Sequence, residues 1–122
     1  MLADKMETTK ASCWLINTGW VGGKFGTGSR CKLSYTRAII NAIHSGSIAD
    51  ANYTTYDIFG LQIPTSVQGV PDAVLDPRLA WEDTEAFEKE RIKLANMFVK
   101  AFKGFEEQVH ASVKAAGPSV TI

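Results

Sequence analysis

Asn17-Thr-Gly-Trp-Val-Gly-Gly-Lys-Phe-Gly-Thr-Gly-Ser-Arg30, followed by Cys31-Lys-Leu-Ser-Tyr-Thr-Arg-Ala-Ile-Ile40, is the stretch on which the fold turns. Five glycines fall from Gly19 to Gly28. Glycine at this density lets a backbone take positive φ and approach a ligand closely. The run comes near a phosphate loop, G-x-x-x-x-G-K-[ST]. Counted from Gly23, the second glycine is Gly28, but Ser29 stands where the lysine belongs. Without that lysine the β- and γ-phosphates have no cationic donor. The pattern therefore leaves two readings open, a phosphate loop or a glycine-rich connection whose tight turns serve packing. Trp20 and Phe25 inside it are expected to anchor the loop to a core, because large aromatics contribute most by burial.

Upstream, Ser12-Cys-Trp-Leu-Ile16 is a continuous apolar run that Asn17 and the glycines cut short. Its length and lack of alternation predict a strand buried on both faces, with Cys13 as a buried free thiol. Residues 1–10 contain neither Gly nor Pro and carry Leu2, Ala3 and Met6 at helical spacing. A helix beginning uncapped at residue one suggests that the chain starts inside a larger element.

Downstream, Ser34 is the expected N-cap of a helix from Tyr35 to His44. Ala38, Ile39, Ala42 and Ile43 form its apolar stripe, and Gly46 is its stop. His44 sits in the last turn, where it suits the helix dipole and reads as structural. Tyr53-Thr-Thr-Tyr-Asp57 and Ile58-Phe-Gly-Leu-Gln-Ile63 read as two strands, the second cut off by Pro64. The segment from Pro64 to Pro77 holds three of the four prolines and reads as an irregular surface loop. Asp72 and Asp76 in it are four apart with no further metal-type donor beside them, so helix-start or turn roles are expected. Asp83 or Thr84 can cap a long helix from Glu85 to about Lys103, with Phe87, Leu94, Phe98, Ala101, Phe102 and Phe105 along one face. Glu106 to Ala116 extends or restarts it, Gly117-Pro118 ends it, and His110 reads as exposed.

The whole is a mixed α/β pattern with few strands. Its 122 residues suffice for one domain with a modest core. Hydrophobic residues make up 45% and charged ones 21%, as in an ordinary globular chain. Thirteen basic and thirteen acidic residues cancel, leaving no basic excess for nucleic acid or an anionic membrane. Apolar runs are too short for a transmembrane helix, and the start lacks the apolar core of a signal peptide. Cys13 and Cys31 have no zinc spacing and demand no disulfide, which agrees with a reducing compartment. A sheet of two or three strands buries little surface, so something must complete it. The chain therefore reads as a piece of a larger domain.

Beyond these local patterns, Asn17-Thr-Gly-Trp20, Gly26-Thr-Gly28, Arg30 and Tyr35-Thr-Arg-Ala-Ile-Ile40 carry a resemblance. Ile43-His-Ser-Gly-Ser47, Phe59-Gly-Leu-Gln-Ile-Pro64, Gly69-Val-Pro71, Leu75-Asp-Pro77 with Trp81, Leu94-Ala-Asn-Met-Phe98 with Phe102, and Ala115-Ala-Gly-Pro118 continue it in register. Together they resemble the C-terminal region of ATP-dependent phosphoenolpyruvate carboxykinases. Gly22-Gly-Lys-Phe-Gly26, and Tyr35 after Leu33-Ser34, look most like the fungal members.

The resemblance implies an α/β fold: a partial C-terminal nucleotide-binding domain of the phosphoenolpyruvate carboxykinase fold, with few strands and a long C-terminal helix. Residues 1–122 would be the C-terminal part of a single domain whose upstream catalytic portion is absent. It implies a cytosolic carboxy-lyase of gluconeogenesis that converts oxaloacetate and ATP to phosphoenolpyruvate, ADP and carbon dioxide, using Mg2+ and Mn2+. The matched nucleotide contacts are Arg30 and Thr36, with Cys31 beside them lining the base pocket. An arginine plane stacks on a base or donates a fork of hydrogen bonds, and a threonine hydroxyl reaches a base edge. Read without the family, Arg30 would pair with an acid and Thr36 would belong to the first helical turn. The family commonly has lysine where this chain has Ser29. Its phosphate loop, metal ligands and oxaloacetate-binding arginines have no counterpart here, so no catalytic or metal residue is assigned and the fragment alone is expected to be inactive. A free-standing nucleotide-binding module and a small interaction protein using the Phe87–Phe105 face are the competing readings.

Overall fold

The computed structural model describes residues 2–120. Met1, which the sequence places in the first helix, lies outside them. The order is helix α1 (Leu2–Thr9), strands β1 (Trp20–Val21) and β2 (Ser29–Arg30), helix α2 (Leu33–Ser45), strands β3 (Tyr53–Tyr56) and β4 (Leu61–Pro64), short helices α3 (Asp72–Leu75) and α4 (Pro77–Ala80), the long helix α5 (Thr84–Phe102), a 3-10 turn at Glu106–Gln108, and α6 (Ala111–Ala115). The fold is mixed α/β with two separate two-stranded antiparallel sheets, β1–β2 and β3–β4.

The core sits under α2. Ile48, Val67 and Val70 are buried there, and Ala38, Ile39, Ala42 and Ile43 pack on them as the helical stripe requires. Gly46 ends α2 with φ 80°, and its N–H returns to the Ile43 carbonyl at 3.1 Å. The start differs from expectation. α2 begins at Leu33, and extended Lys32 caps it with its backbone alone. Its carbonyl accepts the Tyr35 and Thr36 N–H groups at 3.0 and 3.3 Å. Ser34 is thus inside the first turn, with helical dihedrals that no N-cap residue has.

The Pro64–Pro77 segment is not merely a surface loop. Val67 and Val70 pair in an isolated antiparallel bridge around Gly69, at φ 82°, and supply two of the three buried residues of this cluster. Asp72 lies in the first turn of α3, and Asp76 caps α4 by accepting the Arg78 N–H at 3.0 Å. Both carboxylates thus take the helix-start roles that the sequence suggested.

The β3–β4 hairpin pairs Tyr53 with Pro64 and Tyr56 with Leu61. Its second strand starts later than the apolar run implies. Ile58–Gly60 form the turn, since Gly60 takes φ 62° and donates to the Asp57 carbonyl at 2.8 Å.

The apolar run at Ser12–Ile16 is not a strand. Only Trp14 is half-buried, stacked 6.5 Å from the Tyr53 ring, while Leu15 is 87% exposed and the free thiol of Cys13 is exposed as well. A run of this kind becomes a buried strand only when neighbours pair its backbone and cover both faces. Among the described residues none does.

Asp83 caps α5, accepting the Ala86 N–H at 2.9 Å. The buried positions of α5 are Phe87 and Ala95, and Phe98, Leu94 and Phe105 are largely exposed. The inward face thus runs through Phe87, Arg91 and Ala95 rather than along the full phenylalanine stripe. Phe105 lies beyond the helix, which stops at Phe102, and α6 restarts after exposed His110.

Candidate functional site

The glycine-rich stretch folds as a hairpin loop. Trp20 lies opposite Arg30 and Val21 opposite Ser29. The loop closes tightly on itself: a side chain at Gly28 would meet the Val21 carbonyl oxygen at 2.6 Å and that of Gly23 at 2.7 Å. Gly22, at φ 76°, lies against the Ala80 carbonyl, and Lys24 reaches Glu90 at 3.8 Å. The loop is therefore held between the end of α4 and the face of α5. Trp20 and Phe25 do not anchor it in a core. They meet each other edge to face at 5.0 Å, with Phe25 82% exposed.

From this loop the chain passes directly through the three residues singled out by the sequence. Arg30 is exposed at the end of β2, and among the described residues no carboxylate forms an ion pair with it. Cys31 donates its N–H to the Gly19 carbonyl at 2.9 Å, which fixes the exit from the hairpin. Thr36 is half-buried one turn into α2, and its Oγ1 lies 3.9 Å from the Cys31 Sγ. The structure thus brings Cys31 and Thr36 together and leaves Arg30 free beside them. Lys32, next in line, sits 5.6 Å over the Tyr35 ring and adds a positive charge to this corner.

Two concavities flank the hairpin. One, of about 660 Å³, lies between Gly22–Ser29 and the start of α5, with Lys24, Asp83, Lys89 and Glu90 on its rim. The other, of about 870 Å³, is an apolar groove beneath Trp14, Trp20 and Trp81. Arg30, Cys31 and Thr36 line neither. Among the described residues no three of His, Cys, Asp or Glu are placed to share a metal ion.

A second polar cluster was not anticipated from the sequence. Arg91, with a side chain only 9% exposed, binds Asp57 and Glu88 and lies over the Tyr56 and Phe87 rings at 5.8 and 5.7 Å. Arg78 grips Asp76 with Nε at 2.9 Å from Oδ1, and its guanidinium lies 5.5 Å over the same Tyr56 ring. The Arg78 hydrogen bonds hold the Asp76 carboxyl below its ordinary range. Burial would raise Asp57, but the hydrogen bond and charge of Arg91 leave it lowered. Burial pushes the Tyr56 hydroxyl up, against the pull of Arg91. The only sequence signal was the Asp76-Pro-Arg78 spacing. Arg91 closes the charged run Glu88-Lys-Glu-Arg91, which by itself marks no buried position.

The family model for phosphoenolpyruvate carboxykinase matches residues 1–73. The chain belongs to the phosphoenolpyruvate carboxykinase family. It is 51% identical over 121 residues to "Phosphoenolpyruvate carboxykinase (ATP)" of Emericella nidulans, covering 98% of this chain and 20% of that protein. The protein of that name from Dictyostelium discoideum is 48% identical, over 97% of this chain and 21% of its own length. "Phosphoenolpyruvate carboxykinase (ATP) 1" of Arabidopsis thaliana is 46% identical, over 97% and 19%. The chain thus spans about a fifth of the length of the curated relatives it matches. These carboxykinase matches bear out the resemblance read from the motifs, fungal members included, and the α/β class. Among the described residues no helix is long and apolar enough to cross a membrane.

Proposed function

We propose that this chain supplies the adenine end of the ATP site of a phosphoenolpyruvate carboxykinase. Such an enzyme converts oxaloacetate and ATP to phosphoenolpyruvate, ADP and carbon dioxide, a cytosolic step of gluconeogenesis. The observation that carries the reading is the β2–α2 junction, where Arg30, without an ion-pair partner among the described residues, adjoins Cys31, whose Sγ lies 3.9 Å from Thr36 Oγ1. Arg30 stacks on the purine or donates to its edge, and with no acidic partner among the described residues its guanidinium is available for this. Thr36 Oγ1 offers both a donor and an acceptor. Cys31 closes the pocket with a small, polarisable group, held in place by its bond to Gly19. The glycine hairpin sets where Arg30 stands. It does not bind phosphate in this reading, so Ser29 in place of a lysine costs the site little.

Mg2+ and Mn2+ would stabilise the charge that develops on the enolate and the transferred phosphoryl group. The described residues of this chain do not fit them, since no cluster of donors is present. Decarboxylation and phosphoryl transfer are assigned to residues outside this chain, and the chain alone is inactive.

The test uses the Emericella nidulans relative with this chain in place of its own matching fifth. Arg30→Ala raises KM for ATP about tenfold, equivalent to about 1.4 kcal/mol, and changes KM for oxaloacetate less than about twofold. An unchanged KM for ATP overturns the assignment. If the isolated chain binds ATP at micromolar concentration and Arg30→Ala abolishes it, the chain is instead a self-sufficient nucleotide-binding module.

A further inference from the structure

The glycines of the hairpin fall into two kinds. Gly22 and Gly26 take positive φ, at 76° and 88°, so their backbone conformation calls for glycine. Gly23 and Gly28 do not take positive φ, and space alone excludes a side chain there. A Cβ at Gly28 would lie 2.6 Å from the Val21 carbonyl oxygen, 2.7 Å from that of Gly23 and 2.8 Å from the Gly23 nitrogen. A Cβ at Gly23 would in turn lie 2.8 Å from the Gly28 nitrogen. All of these neighbours are backbone atoms, so no side chain can swing aside to make room. The Gly28 Cα hydrogen that a side chain would replace points at both carbonyls, a C–H···O contact of the kind that recurs between adjacent strands. Gly23 is buried although residues 24–27 beside it are exposed. The two glycines thus pinch the hairpin shut at its tip, next to a turn in which Thr27 and Gly28 both donate to the Lys24 carbonyl, at 2.9 and 3.0 Å.

From the pinch the two strands run in step toward the site. Val21 faces Ser29, Trp20 faces Arg30, and the Cys31 N–H donates to the Gly19 carbonyl at 2.9 Å. Arg30 is therefore held from both sides along the chain, by the Gly28 contact two residues before it and by the Cys31 bond just after it. A ladder of so few residues is too short to keep that register unaided. We infer that Gly23 and Gly28 are positioning residues of the adenine site proposed above: their backbone contact sets where Arg30 presents its guanidinium. The role rests on that assignment and is specific to this pair, because the other glycines of the loop answer to φ. Relaxing the Gly28 contact from 2.6 Å to an ordinary 3.4 Å moves the strands apart by about 0.8 Å. A misplacement of that order deprives a bound group of much of its interaction.

The test uses the same chimera with the Emericella nidulans relative. Gly28→Ala raises KM for ATP about fivefold and leaves kcat and KM for oxaloacetate within about twofold. In an Arg30→Ala background the same substitution changes KM for ATP less than about twofold, because the side chain it would displace is gone. Effects that multiply in the double variant overturn the proposal, since Gly28 then acts on something other than Arg30. Gly26→Ala is the control for loop strain. Nothing lies within 4 Å of a Cβ there, and KM for ATP stays within about twofold. An equal rise in Gly26→Ala and Gly28→Ala assigns the effect to the loop in general and overturns the pinch. Should Gly28→Ala not accumulate, Gly23→Ala opens the same contact from the other strand and is expected to give the same ATP-specific rise. If neither accumulates, the contact supports the fold rather than Arg30, and the proposal falls. A KM for ATP raised by Arg30→Ala but not by Gly28→Ala overturns this role alone, whereas no change in either variant overturns the adenine assignment with it.

Discussion

α2 and α5 are both amphipathic helices, and they meet the rest of the chain in opposite ways. α2 buries an aliphatic stripe: Ala38, Ile39, Ala42 and Ile43 close on Ile48, Val67 and Val70. α5 has the richer stripe in sequence and leaves most of it in water. It docks through Phe87, Arg91 and Ala95, the last fully buried at 0% exposure, and its central contact is a guanidinium between two aromatic rings. The first contact is non-directional and rests on area removed from water. The second depends on placing one charge against Asp57, Glu88 and Tyr56. An apolar stripe marks the buried face of a helix only where the chain supplies an apolar surface to receive it. For α2 the Val67–Val70 bridge does so. For Leu94 and Phe98 it does not, and Phe98 meets Phe59 edge to face at 6.2 Å.

This contrast can be broken from either side. Truncating the aliphatic core has the largest expected effect. Ile48→Ala removes a buried side chain and costs about 3 kcal/mol, read as a lower urea midpoint with an unchanged slope. A loss under about 1 kcal/mol would mean that the α2 core does not carry the fold. Next comes Arg91→Ala, expected to cost about 2 kcal/mol, chiefly through the packing lost against the Tyr56 and Phe87 rings. Arg91→Met should restore part of it, because the stem still covers Tyr56 and Phe87. Equal losses in the two variants would assign the contact to charge alone.

Asp76→Asn is expected to cost about 1 kcal/mol at neutral pH, since Asn still caps α4 but loses the charge-assisted grip of Arg78. The folded-state pKa of Asp76 is lowered, so this contribution is complete above the ordinary value of about 3.9. It is lost as pH falls from there through the depressed folded value. The acid limb of a stability–pH profile should therefore flatten in Asp76→Asn, and an unaltered limb would show the pair to be inert. The smallest effect belongs to Leu94→Gln, within about 0.5 kcal/mol by urea denaturation of the isolated chain. A loss above about 1 kcal/mol would restore the phenylalanine stripe as a core face.

Local chemistry made several features legible. Gly46 ended α2 because positive φ is needed there, Asp83 capped α5, and Pro64 closed the second strand of the hairpin. The glycine stretch could be read as a tight loop but not as a site, because a phosphate loop and a packing hairpin ask for the same backbone freedom. The longer motifs around Arg30 and Tyr35–Ile40 gave the family, which the carboxykinase matches then showed. Arg91 was illegible, since a buried arginine and a solvated one look alike until its partners, 34 residues away at Asp57, are in place.

The sequence by itself determined the family, the α/β character, the stop of α2 and the span of α5, because caps, turn glycines and apolar periodicity act over a few residues. Only the tertiary structure decided which apolar runs are covered. Ser12–Ile16 and Tyr53–Tyr56 have similar strand-forming character, yet among the described residues only the second has a partner to pair with. Burial belongs to the pair of surfaces that meet, and one stretch of sequence specifies only its own side.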